Sequence, residues 1–185
     1  MSDVNEPYRV AVSSDDGGPA TVFEHLWTPY RMAYIRKGAQ AQGDGAEECP
    51  FCVIPTLQDE AGLVIARGEL CFAVLNLHPY NPGHLMVIPY RHVAELEDLT
   101  PEESSELMTM TQAAVRTIKT VSMPKGLNVG LNLGSAAGGS LSSHIHQHVV
   151  PRWVGDANFI TVTGNTKVIP ALLSDTRKLL AEAWH

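Results

Sequence analysis

Three histidines at alternate positions, His144, His146 and His148, are the residues of this chain best placed to do chemistry together. They lie in the run Ser142-Ser143-His144-Ile145-His146-Gln147-His148-Val149-Val150-Pro151-Arg152-Trp153, where Ile145, Val149 and Val150 favour an extended backbone. Side chains two apart on a strand point the same way. The three imidazoles are therefore expected on one face, with Ile145 and Gln147 on the other. Just upstream, Leu131-Asn132-Leu133-Gly134-Ser135-Ala136-Ala137-Gly138-Gly139-Ser140 is a loop of small residues rich in backbone N–H groups. Such loops can cradle an anion. Imidazoles beside an anion loop point to a nucleophile facing phosphate, because a ring whose ordinary pKa is about 6.5 is largely neutral at pH 7. Two other readings stay open: the three histidines could all bind a catalytic zinc, or the pattern could be incidental. Strict alternation next to a glycine-rich loop weighs against the second.

A second cluster of reactive types is Cys49-Pro50-Phe51-Cys52. A thioredoxin-like redox pair would need a βαβ setting, which this sequence does not supply. Two unrelated buried thiols are one alternative. Half of a tetrahedral zinc site is the other, with histidines available to complete it. Cys71 sits in an apolar run and reads as a buried filler. Trp27 and Tyr30 read as packing residues rather than a platform for bases.

These groups must be positioned by a chain of 185 residues, which suits one domain with a single core. A hydrophobic content of 44% and a charged content of 18% are ordinary for a globular protein. The net charge of −7, without a basic run, argues against nucleic acid and membrane surfaces as partners. A locally positive pocket for a small phosphorylated ligand remains compatible with it. The three cysteines form no disulfide framework, and neither a membrane-length apolar run nor a signal-peptide pattern is apparent. The expected location is the cytoplasm.

Residues 1–20 are polar and read as a disordered tail, leaving 21–185 as the domain. Lys37 to Glu48, rich in Gly, Ala and Gln, reads as a surface loop. Leu70 to Asn76 and Leu85 to Ile88 are β-rich runs around the turn His78-Pro79-Tyr80-Asn81-Pro82-Gly83, which predicts a hairpin with a long loop. Thr100, Pro101 and Glu103 predict a capped helix start, and Leu107, Met110, Ala114 and Ile118 form its apolar stripe. Met108 and Met110 are expected at the rim and core of that helix rather than on a binding surface. The helix should end before Pro124. Leu127 to Asn132 predicts a strand with Asn128, Gly130 and Asn132 on one face, near the histidines. Phe159 to Val162 predicts another strand. Pro170 opens a last helix with Leu172, Leu173, Thr176, Leu179 and Leu180 on its apolar face. Strands followed by single helices, without regular βαβ alternation, indicate an α+β fold.

The run His144-Ile145-His146-Gln147-His148-Val149-Val150 resembles the signature of the histidine-triad superfamily, with Gln147 departing from its apolar pattern on the side away from the histidines. Asn76 to Val93, containing Asn81-Pro82-Gly83-His84-Leu85-Met86-Val87-Ile88-Pro89, resembles the central hairpin of that superfamily. Leu26 to Met32 and Pro151 to Phe159 resemble a bacterial branch that cleaves diadenosine polyphosphates.

The resemblance implies an antiparallel sheet with a long packed helix, and a homodimer, with a tetramer left open. It assigns His146 as the nucleophile and His148 to phosphate or bridging oxygens. Asn132, Gly139 and Ser140 would hold the α-phosphate, Asn76 the ribose, and Trp153 would stand near the base. It also implies a structural zinc on Cys49, Cys52, His92 and His144, and no organic cofactor. Many hydrolytic relatives carry a glutamine four residues before the first histidine, where this chain has Ser140 after Gly138 and Gly139. The smaller residues leave room and donors for a second anion. The expected substrates are thus a dinucleoside polyphosphate, foremost diadenosine tetraphosphate, and orthophosphate, giving ATP and ADP. The alternatives are a hydrolase giving ATP and AMP, a nucleoside phosphoramidate hydrolase, a zinc hydrolase, and a nucleotide-binding signalling module without turnover.

Overall fold

The computed structural model describes residues 10–12, 21–23, 49–137, 141–156 and 169–185. Two short strands come first, β1 (Val10–Val12) and β2 (Thr21–Phe23), paired antiparallel with Val10 opposite Phe23. β1 thus falls within the polar stretch expected as a tail, where the β-branched Val10 and Val12 favour extension. The expected loop at 37–48, the strand at 159–162, and Trp27 and Tyr30 lie outside the described residues.

Five strands build the main sheet: β3 (Val64–Arg67), β4 (Cys71–Leu75), β5 (Leu85–Pro89), β6 (Gly126–Leu131) and β7 (Gln147–Arg152). They are antiparallel in the order β3-β4-β5-β7-β6. Every residue of β4 and β5 is buried, so their sequences run apolar without alternation. One face packs Ala73, Leu75, Leu85, Val87 and Val149 against Leu107, Met110, Ala114, Ile118 and Leu180. The opposite face packs Phe72, Val74, Met86 and Ile88 against Cys49 and Phe51.

Among the described residues, four α-helices complete the frame: α1 (Pro50–Val53), α2 (Asp59–Gly62), α3 (Pro101–Ser122) and α4 (Leu173–Glu182). The predicted capping box at α3 forms in both directions: Glu103 N–H donates to Thr100 Oγ1, and Thr100 N–H donates to Glu103 Oε2. The stripe Leu107, Met110, Ala114, Ile118 is buried and Met108 is exposed. The helix closes at Met123 in a left-handed conformation, just before Pro124. α4 buries less than expected. Leu180 is buried, but Leu172 and Leu179 are 70% and 55% exposed. Polar contacts help dock it: Arg177 donates to the Val64 carbonyl at 2.7 Å and pairs with Glu60.

Candidate active site and metal site

The strand carrying the triad begins later than its sequence pattern suggests. β7 starts at Gln147, and His144 to His146 precede it in irregular backbone. This approach is pinned by Ile145 N–H donating to the Val93 carbonyl at 2.7 Å. The alternation of sides nevertheless holds. Gln147 points to the helix face, where its Nε2 donates to Thr111 Oγ1 at 2.8 Å. His146 and His148 stand on the other face with ring centroids 4.8 Å apart.

His146 is buried, and Phe51 packs on it at 4.9 Å between ring centroids. Its Nδ1 lies 2.8 Å from the His144 carbonyl. A carbonyl only accepts, so Nδ1 carries the proton and Nε2 keeps its lone pair. Burial lowers the pKa of His146, while the bond to His144 works in the opposite sense. A neutral ring with one nitrogen anchored and the other free has the arrangement a nitrogen nucleophile requires.

His148 lies opposite Met86 on β5 and Gly130 on β6. Its Nδ1 is 2.9 Å from His84 Nε2, and its Nε2 is 3.4 Å from Asn132 Nδ2. Burial first, and the neighbouring His146 second, push its pKa down to about 4. It borders a cavity of about 410 Å³ that also touches Tyr80, Asn128, Gly130, Asn132 and Arg152.

The third histidine turns elsewhere. His144 Nδ1 lies 3.3 Å from Cys49 Sγ, and His92 Nδ1 lies 3.3 Å from Cys52 Sγ. The four donor atoms of Cys49, Cys52, His92 and His144 all fall within 4.8 Å of one another, a cluster able to hold a metal ion. The helical turn α1 brings the two thiols together, with Cys52 N–H donating to the Cys49 carbonyl at 3.0 Å. His144 Nε2 donates to the Pro89 carbonyl at 3.0 Å, which leaves Nδ1 unprotonated and facing the sulfurs. Burial, followed by the adjacent Cys49, raises the Cys52 thiol to about 11. Two sulfurs and two imidazoles with a carbonyl behind one ring suit a tetrahedral cation.

A family model described as HIT domain matches residues 58–154, from α2 past the third histidine. The AP-4-A phosphorylase of Mycobacterium tuberculosis strain H37Rv is 61% identical over 170 residues, 90% of this chain and 87% of its own length. The chain belongs to the HIT family. A second relative, the asymmetrical bis(5'-nucleosyl)-tetraphosphatase of Schizosaccharomyces pombe, is 39% identical over 93 residues, half of each chain. Among solved structures, a zinc-bound histidine triad family protein from Mycobacterium smegmatis aligns with a TM-score of 0.59 at 28% identity. That alignment covers 75% of this chain and 94% of the other.

The other residues singled out in this HIT chain are distributed unevenly. Asn132 joins His148 at the cavity. Asn76 stands one step away. Its Oδ1 accepts from His78 N–H at 2.9 Å, and its Nδ2 lies 3.5 Å from His84. Trp153 is not among the residues touching the cavity, and its backbone N–H donates to Asp156. Gly139 and Ser140 lie outside the described residues.

Two features escaped the sequence reading. Arg152, Asp156, Asn81 and Asn128 form a polar cluster, with Arg152 on both Asp156 and Asn128; Arg152, Asn81 and Asn128 line the cavity. His84 is fully buried beside His148. A signal for His84 existed: it shares the parity of Met86, which lies opposite His148.

Proposed function

We propose that this chain is a diadenosine tetraphosphate phosphorylase working through a nucleotidyl-histidine intermediate. The observation that carries this reading is the free Nε2 of a neutral His146, held through Nδ1 beside His148. Nε2 attacks the α-phosphorus. A P–N bond forms as the bond to the bridging oxygen breaks, and ATP leaves with the electron pair. His148 hydrogen-bonds the phosphate or bridging oxygens as charge moves onto them. An oxygen of orthophosphate then attacks the same phosphorus, the P–N bond returns its pair to Nε2, and ADP departs. Water in that position would release AMP.

Orthophosphate is favoured over water for two reasons. The M. tuberculosis relative bears the name AP-4-A phosphorylase over nearly its whole length. The residue types Gly138, Gly139 and Ser140 are smaller than the glutamine of many hydrolytic relatives, which suits a second anion. In this reading Asn132, Gly139 and Ser140 hold the α-phosphate, Asn76 the ribose, and Trp153 lies near the base. A structural zinc on Cys49, Cys52, His92 and His144 would brace the fold and leave His146 and His148 free for chemistry. We assign residues 21–185 to one catalytic domain in the cytoplasm. We further assign a homodimer. Among the described residues, β6 is an edge strand with all six residues exposed or half-buried, which suits pairing with a second copy. No described helix is long and apolar enough to cross a membrane.

The test incubates the purified protein with diadenosine tetraphosphate, with and without orthophosphate, and separates the products. ATP and ADP formed only with orthophosphate are expected. AMP formed at a rate indifferent to orthophosphate would replace this reading with the hydrolase.

A further inference from the structure

His84 is a histidine for which the reaction so far has no use, yet it is fully buried and bonded at both nitrogens. Tyr80 N–H donates to its Nδ1 at 3.1 Å. Nδ1 therefore carries no proton, and in a neutral imidazole Nε2 must. A charged ring would aim Nδ1–H at the Tyr80 N–H. Burial, together with nearby His148 and His146, opposes that charge and pushes His84 down to about 3. Among the described residues the Nε2 proton has one well-placed acceptor, His148 Nδ1 at 2.9 Å; Asn76 Nδ2, at 3.5 Å, is itself a donor. His148 then accepts at Nδ1, so its own proton lies on Nε2, towards the cavity. Asn132, 3.4 Å from that nitrogen, would turn its amide oxygen to it, since two donors cannot pair.

We propose that His84 is a positioning residue that locks His148 in the Nε2–H tautomer, so that His148 meets the substrate as a hydrogen-bond donor. Two contacts hold His84 itself. Tyr80 stacks on its ring with centroids 4.8 Å apart, and its backbone N–H donates to the Asn81 carbonyl at 3.0 Å. The turn Tyr80-Asn81-Pro82-Gly83 thereby transmits its backbone direction to a proton two rings away. Without this relay His148 would divide between two tautomers, and the fraction lacking Nε2–H would face phosphate with a lone pair. The inference rests on the reading of His148 as the residue that contacts phosphate oxygens.

Two substitutions separate positioning from packing. In His84→Asn the amide can stand where Nδ1 stood and keep the Tyr80 contact, but it cannot reach His148. In His84→Gln the amide can stand where Nε2 stood and donate to His148. A loss of kcat of about tenfold is expected for His84→Asn with KM within about threefold, and near wild-type kcat for His84→Gln. Histidine-selective 15N NMR of the whole protein at neutral pH should find His148 as Nε2–H in the wild type and His84→Gln, and as a mixture in His84→Asn. A His84→Asn protein as active as His84→Gln, or one whose His148 keeps the Nε2–H form, overturns the inference. Should both variants lose activity, the tautomer of His148 in His84→Gln decides: Nε2–H retained there supports the relay, and a mixture overturns it. A wild type without phosphorolysis would instead sink the functional reading, and the NMR comparison would still judge His84.

Discussion

His144 and His146 share one carbonyl: the backbone oxygen of His144 accepts the Nδ1 proton of His146 at 2.8 Å, while the ring of His144 lies among the sulfurs of Cys49 and Cys52. The residue that would bind metal is thus also the residue that orients the nucleophile. Whatever holds the His144 ring still also fixes the angle at which His146 presents Nε2. The metal cluster and the reactive ring are mechanically one unit, although they face different chemistry.

From this coupling, Cys52→Ser should lower the metal content and also reduce turnover. A fall in Tm of at least about 5 °C is expected, since metal binding is folding free energy at such sites. Metal analysis by mass spectrometry, calorimetric melts and turnover assays on freshly purified protein check this. Equal metal content in both proteins would defeat it.

Removal of the nucleophile should be far more severe. His146→Ala is expected to lower kcat by at least about a thousandfold while nucleotide binding persists. Stopped turnover of labelled substrate should trap label on the wild type and none on the variant. Retention of a tenth of wild-type activity would refute the assignment, and a circular dichroism melt guards against simple unfolding.

Stability should fall on mild acidification. His84 and His148 are held down to about 3 and about 4 in the fold, mainly by burial. The unfolded chain binds protons at these rings from about pH 6.5 downward, while the folded form does not until pH 3 to 4. Their contribution is therefore fully present above about pH 6.5 and is lost progressively as pH falls towards 4. Melts between pH 4 and pH 8 should give a rising Tm that levels near neutrality. A Tm unchanged between pH 4.5 and pH 7 would contradict the burial of these rings.

Gly130 offers a prediction in the opposite direction. It lies opposite His148, has ordinary backbone angles, and an added Cβ there would meet nothing within 4 Å. Gly130→Val should leave stability unchanged or slightly raised, because glycine weakens a strand. The new methyls would enter the cavity beside His148 and raise KM by about fivefold or more. Steady-state kinetics and a melt on the same sample test both halves. An unaltered KM would mean that substrate does not pass over Gly130.

Features encoded in adjacent residues were legible from the chain alone. Thr100, Pro101 and Glu103 announced the start of α3 because a capping box is a local contract among four residues. The hairpin around Pro79 to Gly83 was legible for the same reason. The grouping of Cys49, Cys52, His92 and His144 came from family resemblance, since His144 is 95 residues from Cys49 and no spacing rule spans that distance. His84 was only faintly legible: its parity with Met86 was a signal, but a lone histidine after a turn does not name its partner, which stands 64 residues away. α4 misled in the other direction, because leucines at helical spacing do not reveal that Arg177 supplies part of the docking. In the strand reading of the triad, alternation was legible, but the point where β7 begins depended on the Val93 tether.

Gln147 is the one polar member of the row that faces the long helix. Its amide donates to Thr111, whose hydroxyl in turn donates to the Leu107 carbonyl at 2.7 Å, so the pair is satisfied inside an apolar layer. Sliding β7 by one residue would exchange its two faces, thrusting His148 into that layer and stranding the Gln147 amide outside. Valines alone would tolerate such a slip far better than an amide with a single correct partner. The odd polar residue thus acts as an alignment key: a chain that pairs in the wrong frame cannot satisfy it, so only the frame that presents His148 to the cavity is comfortably buried.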